Sequence, residues 1–428
     1  EPIFCCFICT MLTTSKQIAE DLDNNDPLRE YRNHFYIPSG KTRNEQLYFT
    51  GNSLGLQPKS VQSYIQQELD DWKNFGVEGH FHGKNPWFSY HHFFEKEANV
   101  VGAKKDEVIV MNNLTVNLHL LLVSFYRPSS KRYKIIMEAG AFPSDMYVIE
   151  SQVKHHGHEY DDAVIELEPR QGEHHLRTED VVQAIEEAGD ELALLFFSGV
   201  QYYTGQYFDI KALTAAAHKV GAIAGFDCAH AAGNVKLQLH DWKVDFAAWC
   251  TYKYMNSGPG GVSGVFIHEK HGHNPDMPRF AGWWGHKESE RFQMKRGYIP
   301  EPGAAGWQLS NAPVITMAAH KASLDIFDEV GMDALATKGQ KLNRFLEQVV
   351  IDAQASNSKL AFEIITPEDR GCQLSMLTNA SGKSLFDYLT ANDVIADWRE
   401  PNVIRLAPVP FYNSYMDIWE FGELLKKF

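Results

Sequence analysis

Lys253 is the residue of this chain whose type and surroundings best suit covalent chemistry. It stands between Tyr252 and Tyr254 in the stretch WCTYKYMNSGPGG (249–261), which leads directly into glycines and a proline. A partly apolar setting lowers the pKa of an ammonium group, and an uncharged amine is a nucleophile that forms imines with aldehydes. A lysine at such a place is more commonly exposed to solvent, so position alone does not establish this role.

An aspartate and a histidine precede this lysine at the end of an apolar run. Asp227 closes AIAGFD (222–227), and His230 follows three residues later. Ligands of open α/β sheets bind beyond the carboxyl ends of the strands, which is where Asp227 would lie. Taken singly, the aspartate is equally well explained as a turn cap and the histidine as a structural group. A lysine for a cofactor aldehyde and an aspartate for a pyridine nitrogen are together the minimum set for pyridoxal phosphate chemistry.

The phosphate of such a cofactor needs hydroxyl and backbone N–H donors. The stretch NLTV (113–116) places Thr115 at the start of a predicted helix, whose positive N-terminus would favour a dianion. The same residues are also explained as a helix cap with no role in binding. The hydroxyl of Tyr252 is a second candidate donor.

Short apolar runs alternate with amphipathic stretches from about residue 105 onwards. The runs at 108–111, 134–138, 192–198 and 222–227 predict buried strands. Helices are predicted between them, over 178–188 and 209–220. This alternation predicts an α/β fold with a mostly parallel sheet.

The chain divides into three predicted parts. Residues 1–45 form an N-terminal arm that packs with the small domain, residues 46–312 a large cofactor-binding domain, and residues 313–428 a smaller α+β domain. The stretch 270–312 is rich in Gly, Pro and Trp and is predicted to be a long functional loop.

Composition excludes several classes of function. The 428 residues carry a net charge of −15, which argues against a nucleic-acid or anionic-membrane surface. No apolar run reaches the length of a membrane span, and no cysteine pattern indicates a metal site. The N-terminal EPIFCCFICTM lacks the basic start of a signal peptide, so we expect a cytoplasmic protein with reduced thiols. The six cysteines are Cys5, Cys6, Cys9, Cys228, Cys250 and Cys372.

Longer motifs around these residues resemble one family. They are GNSLGLQP (51–58), NLTVNLHLL (113–121), FPSD (142–145), YYTGQ (202–206), WCTYKYMN (249–256), AGWWGH (281–286), LSNAP (309–313) and IRLAPVPFYNS (404–414). Together they resemble the kynureninases, fold-type-I pyridoxal phosphate enzymes of the class V aminotransferase superfamily. The resemblance runs from about residue 20 to the end of the chain.

The resemblance implies roles for individual residues. Lys253 would carry the cofactor as an internal aldimine and move the substrate Cα proton, and Tyr252 would contact the phosphate and donate a proton. Asp227 would pair with the pyridine nitrogen, and His230 would support the cofactor beside it. Phe142 would stack on the cofactor ring. Further cofactor contacts would come from Leu114, Thr115, Pro143, Ser144, Asp145, Ser198, Trp283 and Asn311. Arg405 would bind the substrate carboxylate, and Ser53, His80 and Asn311 would meet its aromatic ketone end.

The implied reaction is hydrolysis of L-kynurenine, or of its 3-hydroxy derivative, to L-alanine and an anthranilate. This reaction belongs to tryptophan catabolism and the route to NAD. The resemblance also implies a homodimer with a shared active site, in which the loop near 281–311 reaches into the partner's cofactor site.

Some residues depart from the family pattern. Two alternative functions also remain open. Asn113, Gln201 and Pro259 stand where other residues are usual, which affects the expected substrate preference rather than the reaction class. A desulfurase or transaminase of the same superfamily is one alternative; a desulfurase would need a reactive cysteine such as Cys372 on a mobile loop. A binding protein that kept the scaffold without catalysis is the other.

Overall fold

A computed structural model describes residues 14–379 and 381–428. The strands are β1 (Leu47–Tyr48), β2 (Val108–Met111), β3 (Lys134–Glu138), β4 (Val164–Leu167), β5 (Leu192–Ser198), β6 (Ile223–Asp227), β7 (Phe246–Cys250), β8 (Ser263–Ile267), β9 (Phe362–Ile364), β10 (Leu374–Thr378), β11 (Val394–Ile395), β12 (Asp397–Arg399) and β13 (Val403–Leu406). The predictions placed at Cys5, Cys6 and Cys9 lie outside the described residues.

The α-helices surround these strands and are joined by several short 3₁₀ turns. They are α1 (Lys16–Asn24), α2 (Val61–Phe75), α3 (Glu97–Val101), α4 (Leu114–Phe125), α5 (Pro143–His155), α6 (Tyr160–Ala163), α7 (Thr178–Ala188), α8 (Ile210–Lys219), α9 (Glu269–Gly272), α10 (Val314–Val330), α11 (Met332–Ser356), α12 (Gly382–Ala391) and α13 (Tyr415–Lys427). Over these described residues, no helix has the length and apolar character needed to cross a bilayer.

A seven-stranded sheet forms the centre of the large domain, in the order β2-β8-β7-β6-β5-β3-β4. Five neighbouring strands, from β7 to β4, are parallel, and β8 runs antiparallel between β2 and β7. The run LALLFFS (192–198) is buried almost throughout because helices cover both faces of the sheet. The predicted α/β class with a mostly parallel sheet is confirmed.

Three adjacent parallel strands end in polar residues at one edge of this sheet. Glu138 ends β3, Ser198 ends β5 and Asp227 ends β6. Ser198 and Asp227 are register partners. The carboxyl ends of parallel strands meet at the same edge, so the sheet itself gathers these side chains.

The C-terminal part contains a four-stranded antiparallel sheet, ordered β12-β13-β10-β9, with α11 and α13 packed together. Helix α1 packs on α13, and the buried ammonium of Lys338 pairs with Asp26 at 2.6 Å. Helix α10 packs instead on α2, where Tyr64 contacts Asp325. The division of the chain at residue 313 therefore stays a prediction.

Candidate active site

A cavity of about 260 Å³ opens at the carboxyl ends of β5 and β6. Its wall contains ten of the residues predicted from the sequence: Leu114, Thr115, Phe142, Ser144, Asp145, Ser198, Asp227, His230, Tyr252 and Lys253. Asn113, Val200, Tyr202, Ala229 and Ser263 complete it. Residues from six separate stretches of sequence thus meet around one space.

Lys253 lies in the turn that follows β7, with its Nζ atom 5.7 Å from the ring centroid of Phe142. The turn is fixed from the other side by the GNSLG loop, where Gly55 N–H donates to the carbonyl of Tyr252 at 2.8 Å. A Cβ atom at Gly55 would come within 2.3 Å of the Lys253 carbonyl oxygen, so only glycine allows this approach. The contact with the GNSLG loop therefore fixes the turn that carries Lys253, which lines the cavity.

Two neighbouring aspartates are buried in the wall of the same cavity. Asp227 accepts a hydrogen bond from Ala229 N–H at 2.7 Å, and Asp145 projects from the first turn of α5. Burial raises the pKa of both carboxyls, and the proximity of Asp227 raises the pKa of Asp145 further. The Oδ1 atom of Asp145 has no hydrogen-bond partner among the described residues. The two carboxyl groups therefore suit a cationic ligand group that donates a hydrogen bond.

Hydrogen-bond donors that suit an anion lie at the N-terminus of α4. Asn113 caps this helix in an extended conformation without a side-chain capping bond, so the first backbone N–H groups remain available. The hydroxyls of Thr115 and Ser144 lie 3.5 Å apart beside them. Hydroxyls and N–H groups at the positive end of a 12-residue helix suit a phosphate dianion.

These two sets of groups together fit pyridoxal phosphate. A protonated pyridine nitrogen would satisfy the orphaned Asp145 oxygen and compensate the buried aspartate pair, while the phosphate would meet the α4 N-terminus. Burial and the nearby Lys253 lower the pKa of His230, and its Nδ1 atom has no partner within the described chain. His230 is therefore neutral and available to a ligand.

Arg405 lies outside this cavity wall, buried at 1% exposure in β13. Its guanidinium pairs with Asp397 on the neighbouring strand β12 and donates to the carbonyl oxygen of Tyr202. Its Nε atom has no partner in the described residues. Sequence reasoning missed Asp397 and Tyr202, because only the register of β12 against β13 brings the former beside the arginine.

Five other predicted residues do not line the cavity within one chain. Ser53 and Asn311 are exposed, and the imidazole of His80 packs on Phe88 with ring centroids 4.5 Å apart. Trp283, predicted to donate its indole N–H to the phosphate, donates it instead to the carbonyl of Arg291 at 3.2 Å. Pro143, also predicted as a cofactor contact, is the first residue of α5 and does not line the cavity.

The thiol required by the desulfurase alternative is buried. Cys372 is fully buried, and its burial raises the pKa of its thiol to about 12. A thiolate is the reactive form of cysteine, so this position does not suit a mobile sulfur carrier.

Comparison with known proteins relates the whole chain to one family. The family model described as aminotransferase class-V matches residues 47–363, and the model described as kynureninase C-terminal domain matches residues 335–425. The kynureninase of Flavobacterium psychrophilum is 55% identical over 417 residues, covering 96% of this chain and 97% of its own. That of Nematostella vectensis is 46% identical over 433 residues, covering 96% and 93%.

Solved structures with low sequence identity share the fold. The cystine C–S lyase C-DES, in complex with its reaction product cysteine persulfide, aligns with a TM-score of 0.73 at 14% identity, covering 90% of this chain and 98% of its own. The apo cysteine desulfurase of Thermococcus onnurineus aligns with a TM-score of 0.72 at 16% identity, covering 95% and 97%. The relatives at 46–55% identity and the model of the kynureninase C-terminal domain support a narrower assignment. The chain belongs to the kynureninase family.

Proposed function

We propose that this chain is a pyridoxal phosphate-dependent hydrolase that cleaves the Cβ–Cγ bond of L-kynurenine, 3-hydroxy-L-kynurenine or both. The products are L-alanine and anthranilate or 3-hydroxyanthranilate. The observation that carries the proposal is the placement of Lys253 and the buried Asp145–Asp227 pair in the wall of one cavity. Membership of the kynureninase family supplies the substrate.

The chain's own residues would hold the cofactor at three points. Lys253 would bind its aldehyde carbon, Asp227 and Asp145 its pyridine nitrogen, and the N-terminus of α4 with Thr115 its phosphate. When bound, the cofactor withdraws electrons from the substrate Cα and so makes the Cα–H bond acidic. Phe142 would cover one face of the ring and keep water from it.

Two side chains would move protons in this cavity. The Nζ atom of Lys253, once free of the cofactor, is the base within reach of the substrate Cα. The phenol of Tyr252 is a suitable donor, because burial and the neighbouring Cys250 raise its pKa and keep the Oη proton in place at neutral pH. Arg405 would bind the substrate α-carboxylate, for which a planar guanidinium has matching geometry.

The activity is tested with purified protein, added pyridoxal phosphate and each of the two substrates. Wild type is expected to show a visible cofactor absorbance and to release a fluorescent anthranilate. Lys253→Ala should lose both, by at least about a hundredfold in turnover. The matched control is Lys219→Ala, which removes an exposed lysine paired with Glu186 far from the cavity and should leave both unchanged. Full turnover by Lys253→Ala, or sulfide release from cysteine by wild type without kynurenine cleavage, would disprove the proposal.

We further propose a homodimer in which the loop at 281–311 of one subunit completes the cofactor site of the other. The surface around this loop carries large exposed apolar side chains, which include Trp72, Phe81, Trp283, Phe292 and Met294. A patch of this kind is typical of a protein interface. It also explains why His80, Trp283 and Asn311 lie away from the cavity of their own chain.

Subunit mixing tests the shared site. Lys253→Ala and His80→Ala variants are each expected to be nearly inactive. If His80 serves the partner's site, refolding them together at equal amounts restores about a quarter of the active sites, because half of the dimers are mixed and each has one intact site. No recovery in confirmed mixed dimers would place His80 in its own subunit's site, and a monomer in sedimentation would reject the dimer altogether.

The remaining proposals concern location and domain organisation. We place the enzyme in the cytoplasm, within tryptophan catabolism and the route to NAD; Cys228, Cys250 and Cys372, all buried and unpaired, suit a reducing compartment. The proposed domains are residues 46–312 and 313–428. The ion pair between Asp26 and Lys338 supports an N-terminal arm, residues 1–45, that packs with the small domain.

A further inference from the structure

Glu138 is a buried carboxyl beside the cofactor cavity to which the reaction described above gives no part. It ends β3 and is 3% exposed. Its Oε1 atom accepts hydrogen bonds from Ser198 Oγ at 2.5 Å and from Ser198 N–H at 3.2 Å. Ser198 lines the cavity and is the register partner of Asp227. Glu138 therefore contacts the cofactor site through a single hydroxyl group.

A second cavity, of about 340 Å³, reaches Glu138 from the other side. It is open to solvent between Gly140, Gln201 and Tyr203, and its wall also contains His174, His175 and Glu400. Glu138 lines this second cavity, whereas Ser198 lines the first. The pair forms a hydrogen-bonded connection between solvent and the cofactor site.

The charges around Glu138 disfavour its ionised form. Asp227 and Asp145 lie on the cofactor side, where Lys253 is the cation facing them. On the other side, His174 pairs with Glu363 at 3.4 Å and Glu400 adds a further negative group. Burial and Asp227 raise the pKa of Glu138 to about 7, although the bonds from Ser198 oppose this shift. Three neighbouring buried carboxyls cannot all be ionised at low cost.

We propose that Glu138 is a positioning residue that sets the direction of the Ser198 hydroxyl toward the cofactor. When Glu138 is ionised, Ser198 donates its proton to Oε1 and presents only lone pairs to the cavity. When Glu138 is protonated, its O–H donates to Ser198 Oγ, and the serine proton turns toward the ligand. One proton, taken from the solvent-filled cavity, thus converts Ser198 from an acceptor into a donor.

This inference rests on the proposed cofactor site, but its first test does not require activity. The infrared band of a protonated carboxyl is followed in the apo-protein as the pH is raised from about 5 to about 8.5. Wild type should lose a band with a midpoint near neutrality, and Glu138→Gln should lack that component. Asp145→Asn and the exposed-site control Glu179→Gln should both retain it. A band that persists unchanged in Glu138→Gln would overturn the proposal.

The second test concerns the hydroxyl direction in the holoenzyme. Glu138→Gln keeps an acceptor for both Ser198 bonds, but its amide is neutral and carries N–H donors at every pH, so it removes the titration at this position. It should abolish the inflection near neutral pH in both the cofactor absorbance and kcat/KM, while lowering kcat/KM at pH 8 by about tenfold or less. Ser198→Ala, which leaves Glu138 in place, should abolish the same inflection.

The outcomes separate this inference from the proposed function. Wild-type cleavage of kynurenine together with an unaltered inflection in both variants would reject the role of Glu138 and leave the reaction intact. Absence of kynurenine cleavage by wild type would reject the reaction, whereas the infrared result would still report whether Glu138 holds its proton near neutral pH.

Discussion

At the scale of single residues, local position in the chain sets several side chains of the cavity. Lys253, Asp227 and Thr115 follow directly after strands or at a helix start, and the structure brings them to one cavity. Glu138, Tyr202 and Asp397 were missed. Glu138 and Asp397 contact their partners across neighbouring strands, and Tyr202 contacts Arg405 from the turn that follows β5; the sequence alone does not show such pairing.

Asp397 provides a prediction at this scale. It holds one end of the Arg405 guanidinium while the carbonyl of Tyr202 holds the other, so the arginine is oriented before substrate arrives. Asp397→Asn keeps the shape and removes the charge. We expect KM for kynurenine to rise about tenfold with kcat changed less, as loss of orientation weakens carboxylate binding. Steady-state kinetics measure KM and kcat, with the exposed Asp387→Asn variant as control. A lower KM would instead mean that Asp397 competes with the substrate carboxylate for Arg405.

At the scale of elements, continuous apolar runs predicted the inner strands correctly, because strands buried on both faces need no alternation. The helix predicted over 178–188 is confirmed as α7, and that over 209–220 as α8 with its cap at Asp209. Helix α5 was missed, although Pro143 at its first position is a recognised start signal. The overlooked helix mattered, since its first turn carries Asp145. The antiparallel insertion of β8 was also missed, because strand order depends on long-range pairing.

The packing of α1 and the residues that follow it on α11 and α13 gives a prediction about stability. Asp26 and Lys338 form a buried pair, and Asp23 accepts the backbone N–H groups of Tyr415 and Met416 at the start of α13. Lys338→Ala leaves the Asp26 carboxylate without its partner, which we expect to cost about 3 kcal/mol. Urea unfolding should show a clearly lower midpoint. Lys383→Ala, which breaks an exposed pair with Asp387, should cost less than about 1 kcal/mol; equal midpoints for the two variants would contradict the buried role.

At the scale of the whole molecule, motif content predicted more than composition did. The net charge of −15 excluded partner classes without naming a reaction. Motifs spread from residue 51 to residue 414 identified the family, because each loop that approaches the cofactor has its own spacing. His80, Trp283 and Asn311 do not line the cavity of a single chain, and the proposed dimer would bring them to the partner's site.

Tyr202 contacts Arg405 and also lines the cavity. Its carbonyl accepts from Arg405 and from the side chain of Gln373, while its ring lines the cavity and meets the edge of Phe142 with centroids 5.2 Å apart. In the proposed binding mode, a displacement of Arg405 on binding a carboxylate would reach Phe142 through Tyr202. The carboxylate contact and the orientation of Phe142 would then be coupled, so we expect a ligand that lacks the carboxylate to lose alignment as well as affinity.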